Sequence, residues 1–483
     1  MDVHLSLHGR QGLAGQLYRQ LRAAIVDGRL APGERLPSTR GLATQLGVSR
    51  KTTLDVFERL IAEGYLRSRA GDGTFVAHEM TGLAPSPSPL APSAGSGSIW
   101  EALPDTLAHT PPGAAPAFDF VGGVTDKGMF PFDKWRSCVS HALRVQARER
   151  GSYRDPAGEQ ELRLAVSRYL AFSRAVVSNW QDVIITQGAQ QAIDLMARVV
   201  IRPGDVVAVE DPGYPPARIA FLALGAQVAY VPVDAQGLVV DALPDNARIV
   251  YVTPSHQFPL GMAMSLERRV ALLEWAQRRG ALVLEDDYDG EYRFTGHPME
   301  SLKSLDKTGV VAYVGTFSKT IFPELRIGYV IPPAPLGTAV RRAKQVSDWH
   351  SCTMTQTALA KFMLDGHFAK HLRRMRKEYA ARRAALLAHL QGPLSPWFTP
   401  HAPAAGIHMV AHLRMPQDET ALIARAAAAS VGLYGIAGMY GGQAPAPGIL
   451  FGYGGISAAD IHAGMEKLAG TLAADGPPLV TSN

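Results

Sequence analysis

The chain has 483 residues, 47% hydrophobic and 19% charged, and 48 basic against 43 acidic side chains leave a formal charge of +5. This length excludes a single small module, since domains hold roughly 100–200 residues each, and it predicts two to four of them. Two cysteines, Cys138 and Cys352, are too few for a disulfide framework and fit a reducing compartment. No basic-then-apolar leader opens the sequence, and the small-residue stretch Ala426 to Tyr440 is too short to cross a bilayer, so the chain is expected to be cytoplasmic.

The charge is uneven. Residues 1–80 carry eleven Lys or Arg and eight Asp or Glu, whereas no Lys or Arg occurs between Arg69 and Lys127. Leu13, Leu17, Leu21 and Ile25 recur at four-residue spacing and Gly28 closes the run, which predicts an amphipathic first helix. Ser38 is the expected N-cap of a short helix over TRGLATQL that stops at Gly47. Ser49 caps a longer one over RKTTLDVFERLIAE that stops at Gly64, with Leu54, Phe57 and Ile61 on one face. Two helices joined by so short a turn form a helix-turn-helix, and YLRSR, AGDG and TFVA predict a two-stranded wing after it. The start of the second helix then enters the major groove and offers Arg50, Lys51, Thr52 and Thr53 to base edges and phosphates.

The run LPSTRGLATQLGVSRKTTLDVFERLIAEGYLRSRAGDGTFVA resembles the winged helix-turn-helix of the GntR superfamily of bacterial transcription regulators. The resemblance implies that operator DNA is contacted by Arg40, by Ser49, Arg50, Lys51 and Thr52, and by Gly71 in the wing. Leu54 stands where some relatives place another arginine.

Residues 1–80 are thus expected to form the DNA-binding domain and residues 81–117, rich in Pro, Ser, Gly and Ala, a flexible linker. Beyond it, strand-like and helix-like stretches alternate until about residue 360 as in an α/β fold with a mostly parallel sheet, and residues 118–483 are expected to form one effector domain with a smaller α+β C-terminal part. VIITQGAQQAIDLMARVV reads as strand, turn and helix, and the helix start at Gly188, Ala189 and Gln190 suits an anion. The strand ALVLED runs into Glu285, Asp286, Asp287, Tyr288 and Asp289, and VVAYVG into Thr316, Phe317, Ser318 and Lys319, with Arg326 beyond. Strand ends at one carboxyl edge share a crevice, so these groups can converge. Lysine, carboxylate, tyrosine and an anion turn match the needs of pyridoxal 5'-phosphate. Two readings compete: Mg²⁺ held by the acidic run, or a solvated strand end with a surface lysine.

YRDPAGEQELR, EDPGY, TPSHQFPLG, EDDYDGEYRF and GTFSKTIFPELRIGY resemble fold-type I aminotransferases, and in particular the MocR or GabR-type regulators that fuse a GntR-type reader to such a domain. The resemblance implies a Schiff base at Lys319, Asp286 on the pyridine nitrogen, Tyr288 on the ring oxygen and Tyr214 stacked on the ring. It also implies phosphate contacts from Gly188, Ala189, Gln190, Thr316, Ser318 and Arg326, and a homodimer in which Tyr153 reaches the neighbour's cofactor. SHQFPLG departs from the aminotransferase Asn-Pro-Thr-Gly motif, Arg154 replaces a usual glycine, and Leu260 a usual threonine. No arginine follows Arg425 to clamp a substrate carboxylate. The expected activity is therefore regulation, with an amine, amino acid or the cofactor itself sensed through aldimine chemistry at Lys319; the competing expectation is an active aminotransferase carrying a DNA-binding tether. The basic helix around 373–383 is expected to be a solvated face, and no metal site is predicted, His367 and His371 at i, i+4 spacing included.

Overall fold

The computed structural model describes residues 5–7, 9, 12–77, 100, 103, 116–294, 300–414, 418–442, 444 and 446–474. Apart from 100, 103, 116 and 117, the expected linker at 81–117 lies outside the described residues. The chain divides into two compact units, Met1–Ser98 and Ile99–Asn483.

In the first unit, α1 (Leu13–Val26), α2 (Thr39–Leu46) and α3 (Arg50–Ala62) precede an antiparallel hairpin of β1 (Leu66–Arg69) and β2 (Gly73–Val76). Both caps form as expected: Ser38 accepts from the Gly41 amide at 3.1 Å and Ser49 from the Thr52 amide at 3.0 Å. Leu17, Leu21 and Ile25 pack on Leu42, Val56, Phe57, Leu60, Leu66 and Val76. At about 1.5–3 kcal/mol for each large apolar side chain removed from water, this cluster is what holds the unit together. The expected apolar face of α3 needs correction. Leu54 and Ile61 are exposed, and the buried stripe is Thr53, Val56, Phe57 and Leu60. Thr53 sets that rotation, because its hydroxyl donates to the Thr39 carbonyl at 2.8 Å and ties α3 to the start of α2.

The second unit is α/β. β3 (Phe118–Asp119) pairs with β14 (Val431–Gly432). The large sheet runs in the order β4 (Ile184–Thr186), β11 (Gly328–Ile331), β10 (Val311–Thr316), β9 (Leu282–Asp287), β8 (Ala247–Val252), β5 (Val206–Asp211), β6 (Gln227–Asp234), β7 (Gly237–Leu238). The pairs from β10 through β9, β8 and β5 to β6 are parallel; β4, β11 and β7 pair antiparallel. Strands β9 and β10 are buried along their whole length, as expected of strands covered on both faces. Their residues alternate: Leu284 and Val314 join Ile193 and Met196 of the helix Ala189–Val200, whereas Val283 and Val311 join Leu272 and Trp275 of the helix Leu266–Arg279.

A smaller antiparallel sheet, β12 (Phe398–Pro400), β13 (His408–Leu413), β16 (Gly448–Gly452) and β15 (Tyr434–Gly435), forms the C-terminal part with the helix Ala458–Ala473. The helix His367–Gln391 is not simply a solvated basic face. Its Arg382 is buried and bonded to Asp126, Glu378 and the Gly454 carbonyl, and Arg383 donates to the Pro403 carbonyl. A buried guanidinium is tolerated there because each edge of its fork finds an acceptor. Cys138 is buried, Cys352 is exposed and both are free. Among the described residues no helix is long and apolar enough to cross a membrane.

Candidate functional site

Parallel strands deliver their carboxyl ends to one edge, and most of the expected residues meet there. Lys319 stands three residues past the end of β10, and its Nζ donates to the Gly123 carbonyl at 2.7 Å. Burial pushes the ammonium below its ordinary range, partly offset by Asp289 and Asp286. A lysine so placed holds a larger share of the neutral, nucleophilic amine.

Asp286 ends β9. Its Oδ2 accepts from the Tyr251 hydroxyl at 2.7 Å, whereas its Oδ1 is buried without a partner. Burial raises this carboxyl to about 7. Tyr214 caps the helix Pro215–Ala223 and lies edge-on to Phe258 at 5.5 Å between centroids. Burial lifts its phenol to about 12, Asp286 adds to the rise and Arg326 opposes it, so the ring sits in the field of both.

Gly188 opens the helix Ala189–Val200 with φ 80°, and a Cβ there would lie 2.8 Å from the Arg326 guanidinium. Arg326, itself at φ 52°, donates to the Gln187 carbonyl at 2.9 Å. Thr316 Oγ1 accepts from the Ser318 amide at 3.1 Å, while Ser318 Oγ and Gln190 Oε1 are buried without partners. The Gln190 amide nitrogen donates to the Pro216 carbonyl. Helix amides beside a guanidinium, with an unsatisfied hydroxyl just after β10, are groups that suit an anion.

The acidic run is divided among separate protein partners. Glu285 accepts from the amides of Leu302 and Lys303, Asp287 pairs with Arg174 and accepts from Tyr313, and Asp289 faces His256. Strand alternation sets Asp286 opposite Glu285 and Asp287, Asp289 lies beyond β9, and each carboxyl is taken up by its own protein partners. His371 is likewise committed, with Nε2 on the Thr320 carbonyl at 3.1 Å, and burial lowers it to about 4.

Tyr153 is not part of this constellation within one chain. It is exposed and packs against Trp349 at 4.5 Å and His350 at 6.2 Å. Arg154 pairs with Glu149. Sequence reasoning does not reach several further partners. Gln257 fastens its own loop, donating to the carbonyls of Pro212 and Phe258 and accepting from the Leu260 amide. Tyr251 is one strand away from the aspartate that it supports. His256, Asp289 and His408 each bring one ligand-type atom within 4.8 Å of the others, from segments too distant in sequence for any spacing rule to connect. Leu260, Val410, Ile436 and Leu450 form an apolar cluster, and a Cβ on Gly122, next to the lysine's acceptor Gly123, would lie 2.6 Å from Leu450.

On the first unit, Arg40, Ser49, Arg50 and Lys51 are exposed around the turn, Thr52 is half-buried and Gly71 turns the wing at φ 81°. Thr53 does not belong with them, being fully buried on the face of α3 that is bonded to the Thr39 carbonyl of α2.

Residues 13–76 match the family of bacterial regulatory proteins of the gntR type, and residues 125–440 match aminotransferase class I and II. The chain is 35% identical to the probable rhizopine catabolism regulatory protein MocR of Rhizobium meliloti over 94% of this chain and 92% of that one. It is 30% identical to the pyridoxine biosynthesis transcriptional regulator PdxR of Corynebacterium glutamicum, with 94% of each covered. Among solved structures, a kynurenine aminotransferase of Pyrococcus horikoshii in complex with PMP superimposes with a TM-score of 0.69 at 29% identity, over 74% of this chain and 91% of that chain. With both family models matched, and relatives of this identity aligned over nearly their full length, the chain belongs to the MocR-type GntR regulators, which join a winged helix-turn-helix to an aminotransferase class I and II domain.

Proposed function

We propose that this DNA-binding transcription regulator is controlled through pyridoxal 5'-phosphate held at Lys319. The observation that carries the reading is the unpartnered, buried Oδ1 of Asp286 on the edge that also holds Lys319 and the Arg326 cradle. A protonated pyridine nitrogen is the donor that this oxygen lacks, and a phosphate suits the unsatisfied Ser318 hydroxyl and the helix start at Gly188, Ala189 and Gln190. Bound there, the cofactor supplies an aldehyde for a lysine amine and a ring that draws electrons. Tyr214 covers the ring face, Tyr288 addresses the ring oxygen and Thr316 braces the cradle through Ser318.

Arg40, Ser49, Arg50, Lys51, Thr52 and Gly71 bind operator DNA in this reading, and Tyr153 meets the cofactor of a second copy. The effector is an amine, an amino acid or the cofactor itself. Sensing is favoured over turnover by the apolar surroundings of Leu450 and by the absence of any arginine after Arg425. Titrating purified protein with pyridoxal phosphate, while following visible absorbance and binding to DNA upstream of its own gene, tests the reading. A visible band that is lost in Lys319→Ala, together with cofactor-dependent DNA binding, is expected. No band, or a band unchanged in that variant, overturns it, and sustained keto-acid exchange would favour a working aminotransferase.

A further inference from the structure

Tyr288 does not stand alone beside Lys319. Its hydroxyl lies 3.0 Å from His256 Nδ1 and 2.9 Å from the His256 carbonyl. The same Nδ1 faces both oxygens of Asp289, at 3.0 and 3.1 Å, and both side chains are almost wholly buried. Asp289 is fixed from a third side by the Ile407 amide, at 3.2 Å. A buried carboxylate against Nδ1 requires that nitrogen to carry the proton. Nδ1–H then points at Asp289 and the Tyr288 oxygen together, and the phenol hydrogen is left to choose between the His256 carbonyl and an external acceptor.

We propose that Asp289 and His256 are positioning residues that aim the Tyr288 phenol at the cofactor's ring oxygen and strengthen it as a donor. This rests on the pyridoxal phosphate reading above. The phenol's oxygen accepts from Nδ1–H, which polarises its own O–H toward the next acceptor, as in any chain of hydrogen bonds. The surroundings favour this direction. His408 lies parallel to the Tyr288 ring at 6.4 Å, and burial lowers it to about 3, so it stays neutral. Its Nε2 is committed to the Pro259 carbonyl. Burial raises the Tyr288 phenol, the carboxyls of Asp289, Asp286, Glu210 and Asp287 add to the rise, and beside His256 and the neutral His408 the phenol stays protonated. Lys319 lies within the field of Asp286 and Asp289. Packing fixes the imidazole as well, because a Cβ on Gly406 would lie 2.0 Å from it and one on Gly261 3.2 Å from it.

A stronger donor draws negative charge from the ring oxygen, and so lowers the pH at which the visible band of the lysine-bound cofactor titrates. The test is that midpoint, read by absorbance on full-length protein reconstituted with pyridoxal phosphate, in wild type, His256→Gln, Asp289→Asn, Tyr288→Phe and the double variants with Tyr288→Phe. The midpoint is expected to rise by roughly half a unit to one unit in His256→Gln and Asp289→Asn, the size of one hydrogen bond. Neither change should add to the shift of Tyr288→Phe. An unmoved midpoint in a folded single variant overturns the proposal, and so does a full additional shift in the Tyr288→Phe background. Asp289→Asn keeps the side chain's shape and decides the matter if His256→Gln does not fold. Absence of any visible band in wild type would instead sink the cofactor reading itself.

Discussion

Gly188 and Arg326 occupy each other's space: a single carbon added to Gly188 would lie 2.8 Å from the guanidinium, and the glycine already holds φ 80°. Gly188→Ala therefore adds backbone strain of about 1–3 kcal/mol and displaces the arginine from the anion turn. Affinity for pyridoxal phosphate should fall by ~10-fold for each ~1.4 kcal/mol by which binding is weakened, measured by absorbance titration. Unchanged affinity would remove Gly188 and Arg326 from the cofactor site.

Asp286 yields a prediction in pH. Its carboxyl is raised from 3.8 to about 7 in the folded protein, with burial the largest cause. A raised carboxyl gives stability that is fully present below the unfolded value and is lost as pH rises through the folded one. Cofactor-free wild type should therefore lose thermal stability relative to Asp286→Asn between 3.8 and about 7, with little further change above. Parallel melting curves for the two proteins across that range would contradict the carboxyl's placement.

Arg50 is exposed at the start of α3, next to the Ser49 cap. Arg50→Ala should weaken operator binding by about 1–3 kcal/mol, the worth of one good base contact. Lys51→Ala should act alike on all sequences and reduce the salt slope by about one phosphate. Equal binding by wild type and Arg50→Ala, in a salt series on DNA from upstream of the gene, would take α3 out of the groove.

Thr53→Val keeps the shape and deletes the hydroxyl that reaches the Thr39 carbonyl. The first unit should become less stable by about 1 kcal/mol, read as an earlier denaturant midpoint with unchanged slope. A midpoint that does not move would show that apolar packing alone sets the rotation of α3.

Physics decides which parts of the molecule are legible in the sequence. The caps at Ser38 and Ser49, the wing and the strand–turn–helix at Gly188 are local, and local chemistry writes them plainly. Lys319, Asp286 and Arg326 can be grouped because parallel strands end on one edge. The rotation of α3 cannot be read, since Leu54 and Ile61 look like core residues until the Thr53 bond to Thr39 is seen. Tyr251 and the grouping of His256, Asp289 and His408 are also hidden, because those contacts depend on strand order and on where two sheets meet. Arg382 reads as a surface charge in the sequence because its acceptors, Asp126 and the Gly454 carbonyl, lie 256 and 72 residues away.

The Lys319 amine spends its hydrogen bond on Gly123, in the segment that follows β3. That segment is also sewn to the small sheet, with the Gly452 amide donating to the Phe120 carbonyl at 2.7 Å. Whatever binds covalently at Nζ takes a donor away from the first stitches of the effector domain.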